Sequence, residues 1–419
     1  MTDSIRRWLT MGCLMLAGES IFLLPYMRKT FQTSIEEVFT ISSTELGFLS
    51  SMFGILALAC YFPGGWLADR FSIRTLLSTS LIATGIGGFY ILTIPSFTQL
   101  LILHAFWGIT SILTFWAALL KATRLWGTPE TQGASFGLLE GGRGVVAALI
   151  VTIATAAFAF SNGNADPHAG LTSVAIVYSI TPILAGLAVW LILARDETNT
   201  TRPKGRTRDT ANLIKKTAKI PEVWLLSVII FFAYFIYTGS YYFPAYVERG
   251  LGETKLFGAQ LGVFRDWLRP AAAIAAGIVA DRIGISRGIA IGFLVLIVLY
   301  GTLLFAPSNA NTYQFLFSQV AVISIMVFAL RAIYFALMEE CKIPIILTGI
   351  TVGIVSTLAY TPDIFSHIIA GLFLDHFKGI DGFRYFFGLL SVMAAAGLAS
   401  TLALRLKLGI LETKKAPSI

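Results

Sequence analysis

Charge is scarce in this sequence. Only 13% of its 419 residues are Asp, Glu, Lys or Arg, while 56% are hydrophobic. A soluble domain carries about 25% charged residues, so a water-soluble globule is excluded. Cysteine is scarcer still. Cys13, Cys60 and Cys341 fall in or beside apolar segments, without metal-ligand spacing, and suggest no disulfide framework. The four histidines form no H-E-x-x-H arrangement, and no G-x-x-x-x-G-K-[ST] loop occurs. With no sizeable polar segment besides, ATP-driven pumping and enzyme catalysis find no support. No cofactor and no metal is expected.

What the chain has instead is apolar runs along its whole length. A bilayer core about 30 Å thick takes about 20 such residues per helix. The hydropathy pattern predicts twelve spans, the first over 8–28 and the eighth over 257–280. The first contains Glu19 and no small-residue cleavage site, so it reads as a retained helix and not a removed signal peptide. The long polar interruption is 195–222, "RDETNTTRPKGRTRDTANLIKKTAKIPE". It divides the chain into a six-helix half over 1–194 and another over 223–419. Its second part, with Leu213, Ile214, Ala218 and Ile220 among lysines, is either a short helix on the membrane surface or a flexible connection. The expected fold is therefore all-α, with twelve transmembrane helices in two six-helix bundles.

The net charge of +8 is then a matter of membrane orientation and not of nucleic-acid binding. Placing the N-terminus in the cytoplasm puts 21 of the 31 basic residues on that side. Six fall on the other: Arg28, Lys29, Arg249, Lys255, Lys378 and Arg384. Arg143, Arg265, Arg269 and Arg331 stay within spans. The positive-inside rule then puts both termini and the linker in the cytoplasm. The "NTT" sequon at Asn199 is accordingly not expected to be glycosylated.

The two halves repeat one another. "GGWLADRFSIR" over 64–74 returns as "AGIVADRIGISR" over 276–287, so Gly65, Ala68, Asp69 and Arg70 recur 212 residues later as Gly277, Ala280, Asp281 and Arg282. Each copy closes the second helix of its half at the cytoplasmic side. The stretch resembles the G-x-L-A-D-R-x-G-R-R/K signature of the major facilitator superfamily of secondary transporters. Arg74 falls on its distal basic position and Arg287 one residue past it, and Gly284 matches its second glycine, where the first copy has Ser72. The resemblance implies two pseudo-symmetric halves that rock about a central site. It implies a latch on the cytoplasmic side formed by Gly65, Asp69, Arg70 and Arg74 with Gly277, Asp281, Arg282 and Arg287. Glycine allows close helix approach, and an aspartate favours a neighbouring helix N-terminus.

Charges inside spans are costly and mark cavities, pairs or relays. The fifth helix carries "GLLEGGRG", with Glu140 and Arg143 at i,i+3. It lacks the proline of the antiporters' fifth-helix pattern. The eighth reads "GVFRDWLRPAA", with Arg265, Asp266 and Arg269 before Pro270. Arg143 and Arg269 lie near mid-membrane in opposite halves. Arginine offers a fixed charge and a planar fork suited to phosphate or carboxylate. These two, with Arg265, Arg331 and Lys121, are candidate substrate ligands. The alternative is that Glu140 neutralises Arg143 and Asp266 one of Arg265 and Arg269, while Arg331 and Lys121, toward the cytoplasmic ends, simply snorkel. The pattern loosely resembles the sugar-phosphate and organic-anion permeases.

Coupling requires a group that changes protonation. Glu19, Glu140, Asp266 and Asp363 are candidates, Glu19 first because no basic residue lies within a turn of it in sequence. Asp363 follows Pro362 at an expected break in helix eleven. His104 stands where the family's fourth-helix R-x-x-x-G motif has arginine, and is either titratable or structural. Tyr237 and Tyr241, in one row with Tyr234, either line the cavity or simply pack. The expectation is a monomeric, proton-coupled transporter of a small organic anion in a bacterial inner membrane. An exporter of amphiphilic cations and a non-transporting sensor are its rivals.

Overall fold

The computed structural model describes residues 3–127, 132–193, 206–305, 313–344 and 347–413, and among them it contains helices and no strand. The first half runs α1 Asp3–Ser20, α2 Arg28–Phe39, α3 Ser43–Arg70, α4 Ile73–Phe89, α5 Phe97–Gly108, α6 Ala117–Trp126, α7 Gln132–Phe160 and α8 Pro167–Ile192. Then follow α9 Arg206–Ala218, α10 Pro221–Gly239, α11 Phe243–Ala245, α12 Lys255–Ile283, α13 Ile285–Leu304, α14 Tyr313–Ile333, α15 Leu337–Glu340, α16 Thr348–Ala359, α17 Pro362–His376 and α18 Ile380–Thr413. The helix α9 answers one open question about the linker. Residues 194–205, with Asn199, lie outside the described residues.

Local chemistry fixes the helix ends. A capping box of Ser42 and Glu45 starts α3. Asp166 caps α8, whose first residue is Pro167. Left-handed Thr40 closes α2. Between α5 and α6 the backbone widens into a π-helix over Ile109–Trp116, so Phe97–Trp126 is one continuous helical stretch long enough to span a membrane. Gly284, at φ 92°, turns the chain between α12 and α13.

Ten stretches of the described residues are long and apolar enough to cross a membrane. The other two expected spans are the charged ones, α1 and α12. The first differs from its expected bounds. The helix does not end near 28: after turns over 21–27 it resumes as α2 and reaches Phe39. Arg28 and Lys29 thus open a further helix, and Arg28 is buried in the protein.

The chain forms two compact units. One comprises Met1–Thr200, Tyr241–Pro270 and His367–Gly379. In it α4 and α8 pack closely through glycines: a methyl group on Gly186 would lie 3.0 Å from the carbonyl of Ser78. The other comprises Thr201–Ser240, Ala271–Ser366 and Ile380–Ile419, with Phe293, Leu296, Phe386, Phe387 and Leu390 buried in its core.

Candidate functional site

In the first unit the break after α1 brings Glu19 against two arginines. Arg143 reaches across from α7. Its Nε donates to the carbonyl of Gly18 at 2.9 Å, its Nη2 lies 3.5 Å from Glu19 Oε2, and its Nη1 bonds Glu140 one turn away. Arg269 completes the group, 3.8 Å from Glu19 Oε2 and 3.7 Å from Glu140 Oε2. Glu19 therefore has two basic partners, contributed by other helices, although sequence proximity offered none. The sequence alternatives for Arg143 are answered in part: Glu140 does pair with it, but so does Glu19. Trp116, in the π-helix, and Phe22 face the Arg143 guanidinium at 5.5 and 5.8 Å.

A second group adjoins it on α12. Arg265, 1% exposed, stands 4.0 Å from Asp266 and 5.0 Å from the ring of Tyr241. Asp266 bonds Lys29 Nζ at 2.7 Å. Next to Lys29, the Arg28 guanidinium is buried among neutral acceptors. It donates to Ser50 Oγ (3.1 Å), Gln32 Oε1 (3.2 Å), the carbonyl of Leu46 (3.4 Å) and the hydroxyl of Tyr242 (2.7 Å). Among the described residues no carboxylate pairs with it, and its Nε has no hydrogen-bond partner. The Tyr242 hydroxyl then has its hydrogen left for His367, whose Nδ1 lies 3.3 Å away. The His367 ring, 1% exposed, also stacks on Tyr241 at 5.9 Å. From Arg28 a buried row continues along α2, where Gln32 donates to Glu36 at 2.8 Å.

Arg28, Lys29, Tyr242 and His367 were not among the candidates read from sequence. Arg28 and Lys29 were passed over because a pair of basic residues after an apolar run reads as a span end. The i,i+4,i+8 spacing of Arg28, Gln32 and Glu36 was the available signal for a continuing helix. His367 carried no local signal.

Arg331 and Asp363 belong to the second unit. The Arg331 guanidinium lies 4.2 Å from the ring centroid of Tyr237 and 6.0 Å from that of Tyr234. Tyr234 donates to Asp363 at 2.8 Å and packs edge-on against Tyr360. The expected break at Pro362 is there, between α16 and α17. The tyrosine row is divided: α10 tightens into a 3-10 turn at Ser240–Tyr242, so Tyr234 and Tyr237 meet Arg331, while Tyr241 meets Arg265.

Of the other candidates, Lys121, Arg70 and Arg74 have partners away from the central charges, whereas His104 lines a small cavity together with Arg28. Lys121 donates to the carbonyl of Ala68 at 2.7 Å. His104 is bonded through Nδ1 to the carbonyl of Leu100, and its ring meets Trp107 at 5.0 Å. Arg70 stacks on Trp66 and Arg74 on Trp190, at 3.9 and 4.2 Å. Asp281, Arg282 and Arg287 are exposed, and nothing lies against a methyl group placed on Gly65 or Gly277. The side chain of Asp69 lies outside the described residues. No group of His, Cys, Asp and Glu among the described residues is arranged to hold a metal ion.

The arrangement is a cluster of buried charges in a largely apolar helical fold. The chain is 28% identical to the inner membrane protein YqcE of Escherichia coli (strain K12), over 100% of this chain and 98% of the relative. It is 27% identical to the inner membrane protein YihN of the same organism, over 94% of each. Among solved structures it resembles a bacterial homologue of the human lysosomal transporter Spinster in an inward-facing, occupied conformation. That likeness has a TM-score of 0.76 at 14% identity, over 97% of this chain and 98% of that one. The nucleoside transporter NupG gives 0.73 at 10%, over 94% and 99%. These likenesses fit the twelve-helix fold. The sequence profile of the Major Facilitator Superfamily matches residues 8–341, and the chain accordingly belongs to that superfamily: a multi-pass membrane transporter and not an enzyme.

Proposed function

We propose that this transporter carries a small organic anion, a phosphorylated or carboxylated metabolite, by alternating access with proton coupling. One observation carries the reading. The Arg28 guanidinium is buried in the first unit, beside Lys29, and donates to Ser50, Gln32, the carbonyl of Leu46 and Tyr242, all of them neutral. Uncompensated buried cations are costly, and an anionic solute supplies the missing charge. Arg28 is the strongest ligand candidate, because its present partners are all neutral.

The same geometry supports coupling. A solute anion that takes Arg269 or Arg143 withdraws it from Glu19 and Glu140. A carboxylate that loses its cation in a low-dielectric site binds a proton more readily. Anion and proton binding then reinforce one another, as cotransport requires. Asp363, bonded to Tyr234, is a further proton candidate. The cytoplasmic latch belongs to the same proposal, as do the cytoplasmic placement of both termini, the bacterial inner-membrane location and the monomeric state.

The test is a thermal-stability screen of the purified protein against phosphorylated sugars, carboxylates, other anions and cationic drugs, because a ligand of the folded state raises apparent stability by mass action. Wild type, Arg28→Gln and Arg269→Gln are run together. An anion-specific shift lost in both variants supports the reading. A shift with cations alone, or an anion shift that neither substitution alters, refutes it.

A further inference from the structure

A face of α17 meets the start of α3 in an arrangement that the solute site does not explain. His367, Gly371 and Asp375 are spaced at i, i+4 and i+8, one above another on the helix. Gly47 comes so close to this face that a methyl group on it would lie 2.6 Å from the carbonyl oxygen of His367. One on Gly371 would lie 2.5 Å from Cα of Thr44. Backbone thus packs on backbone, and no larger residue fits at either position. Beyond the glycines, Asp375 closes the contact: its Oδ1 accepts from the backbone N–H of Ser43 at 3.1 Å and its Oδ2 from that of Thr44 at 2.7 Å.

The first amides of a helix lack partners within it. In α3 the Ser42 hydroxyl accepts from the amide of Glu45, and the two amides before it are satisfied by Asp375, more than 330 residues further along the chain. A carboxylate at a helix N-terminus also gains from the helix dipole. Nearby, Arg249 pairs with Glu36, Glu248 with Thr33, and Lys255 with Glu37 at 2.7 Å.

We propose that Asp375, seated by Gly371 and Gly47, is a positioning residue for the transport cycle: it holds closed the end of the solute pathway bounded by α2, α3 and α17, and its release is needed for that end to open. The assignment is independent of the solute's identity and holds for a cation or an anion.

Thr30 provides the readout. It is buried, 2% exposed, with its methyl group against Gly262. Thr30→Cys is introduced into a chain whose Cys13, Cys60 and Cys341 are replaced by Ser. Its rate of reaction with a water-soluble maleimide is measured on the purified protein in detergent, without solute. Asp375→Asn should raise that rate about fivefold, the factor that loss of a helix cap commonly brings. Gly371→Ala should raise it too, and Asp375→Glu should restore the parental rate. Melting temperatures of all variants identify any that are merely unfolded. Parental rates in both Asp375→Asn and Gly371→Ala overturn the proposal, as does failure of Asp375→Glu to rescue.

Discussion

Arg28 donates to the hydroxyl of Tyr242 at 2.7 Å, joining residues that lie 214 positions apart. The other acceptors of this arginine, Ser50, Gln32 and the carbonyl of Leu46, are neutral dipoles too, so each one matters. Tyr242→Phe removes the shortest of its bonds without opening a large cavity. The expected loss is about 1–3 kcal/mol, the cost of an unsatisfied buried donor. Denaturation of the two proteins in the same detergent measures it.

The pair of Lys29 and Asp266 is buried more deeply than ion pairs usually are, with 15% and 3% of the side chains exposed. Asp266→Asn removes the acid that Lys29 and Arg265 share, and should destabilise by about 3–5 kcal/mol. Adding Lys29→Met should recover only part of that, because Arg265 still faces a neutral residue. Full recovery in the double variant would show that Arg265 does not depend on Asp266.

Glu19 and Arg269 should behave as a coupled pair. A double-mutant cycle of Glu19→Gln and Arg269→Gln should depart from additivity by about 0.5–3 kcal/mol. In flux assays Glu19→Gln should keep solute binding but flatten its pH dependence, whereas Arg269→Gln should abolish binding. Glu140 differs in exposure, 49% of its side chain against 11% for Glu19. Glu140→Gln should therefore cost less than about 1 kcal/mol.

For His104 the expected outcome is a null one. Its Nδ1 is occupied by the Leu100 carbonyl and its ring by Trp107. His104→Asn should lower stability while leaving the pH profile of transport in place. A shifted profile would return His104 to the proton pathway.

Much of this was written in the chain. The repeat of Gly65–Arg70 at Gly277–Arg282 announced a duplicated fold, and the pairing of Glu140 with Arg143 follows from helical spacing alone. What sequence does not carry is register between helices. That Glu19 meets Arg143 and Arg269 depends on how α1, α7 and α12 are rotated about their axes, which no local pattern states. The same holds for His367, an ordinary-looking residue in "FSHIIAG" whose neighbours come from α2 and the segment after α10. The misplaced end of the first span has another cause. A hydropathy window ends at Arg28 and Lys29 because it scores each residue as though it faced lipid, and here both face protein.

Among the helices that carry these central charges, α1 with α2 and α12 are not apolar enough to count as spans by composition, and so differ from the rest in how they must enter the bilayer. Glu19 finds Arg269, and Lys29 finds Asp266, only after some 240 further residues have been synthesised. Until then the opening segment of α1 and α2 is a poor membrane segment: Glu19 can meet Arg143 but not Arg269, and Lys29 lacks Asp266. Its final seating is therefore a late event in biosynthesis. Substitutions at Arg269 or Asp266 should show themselves first as poor yield of the whole protein, and a truncated first half should insert its opening segment incompletely.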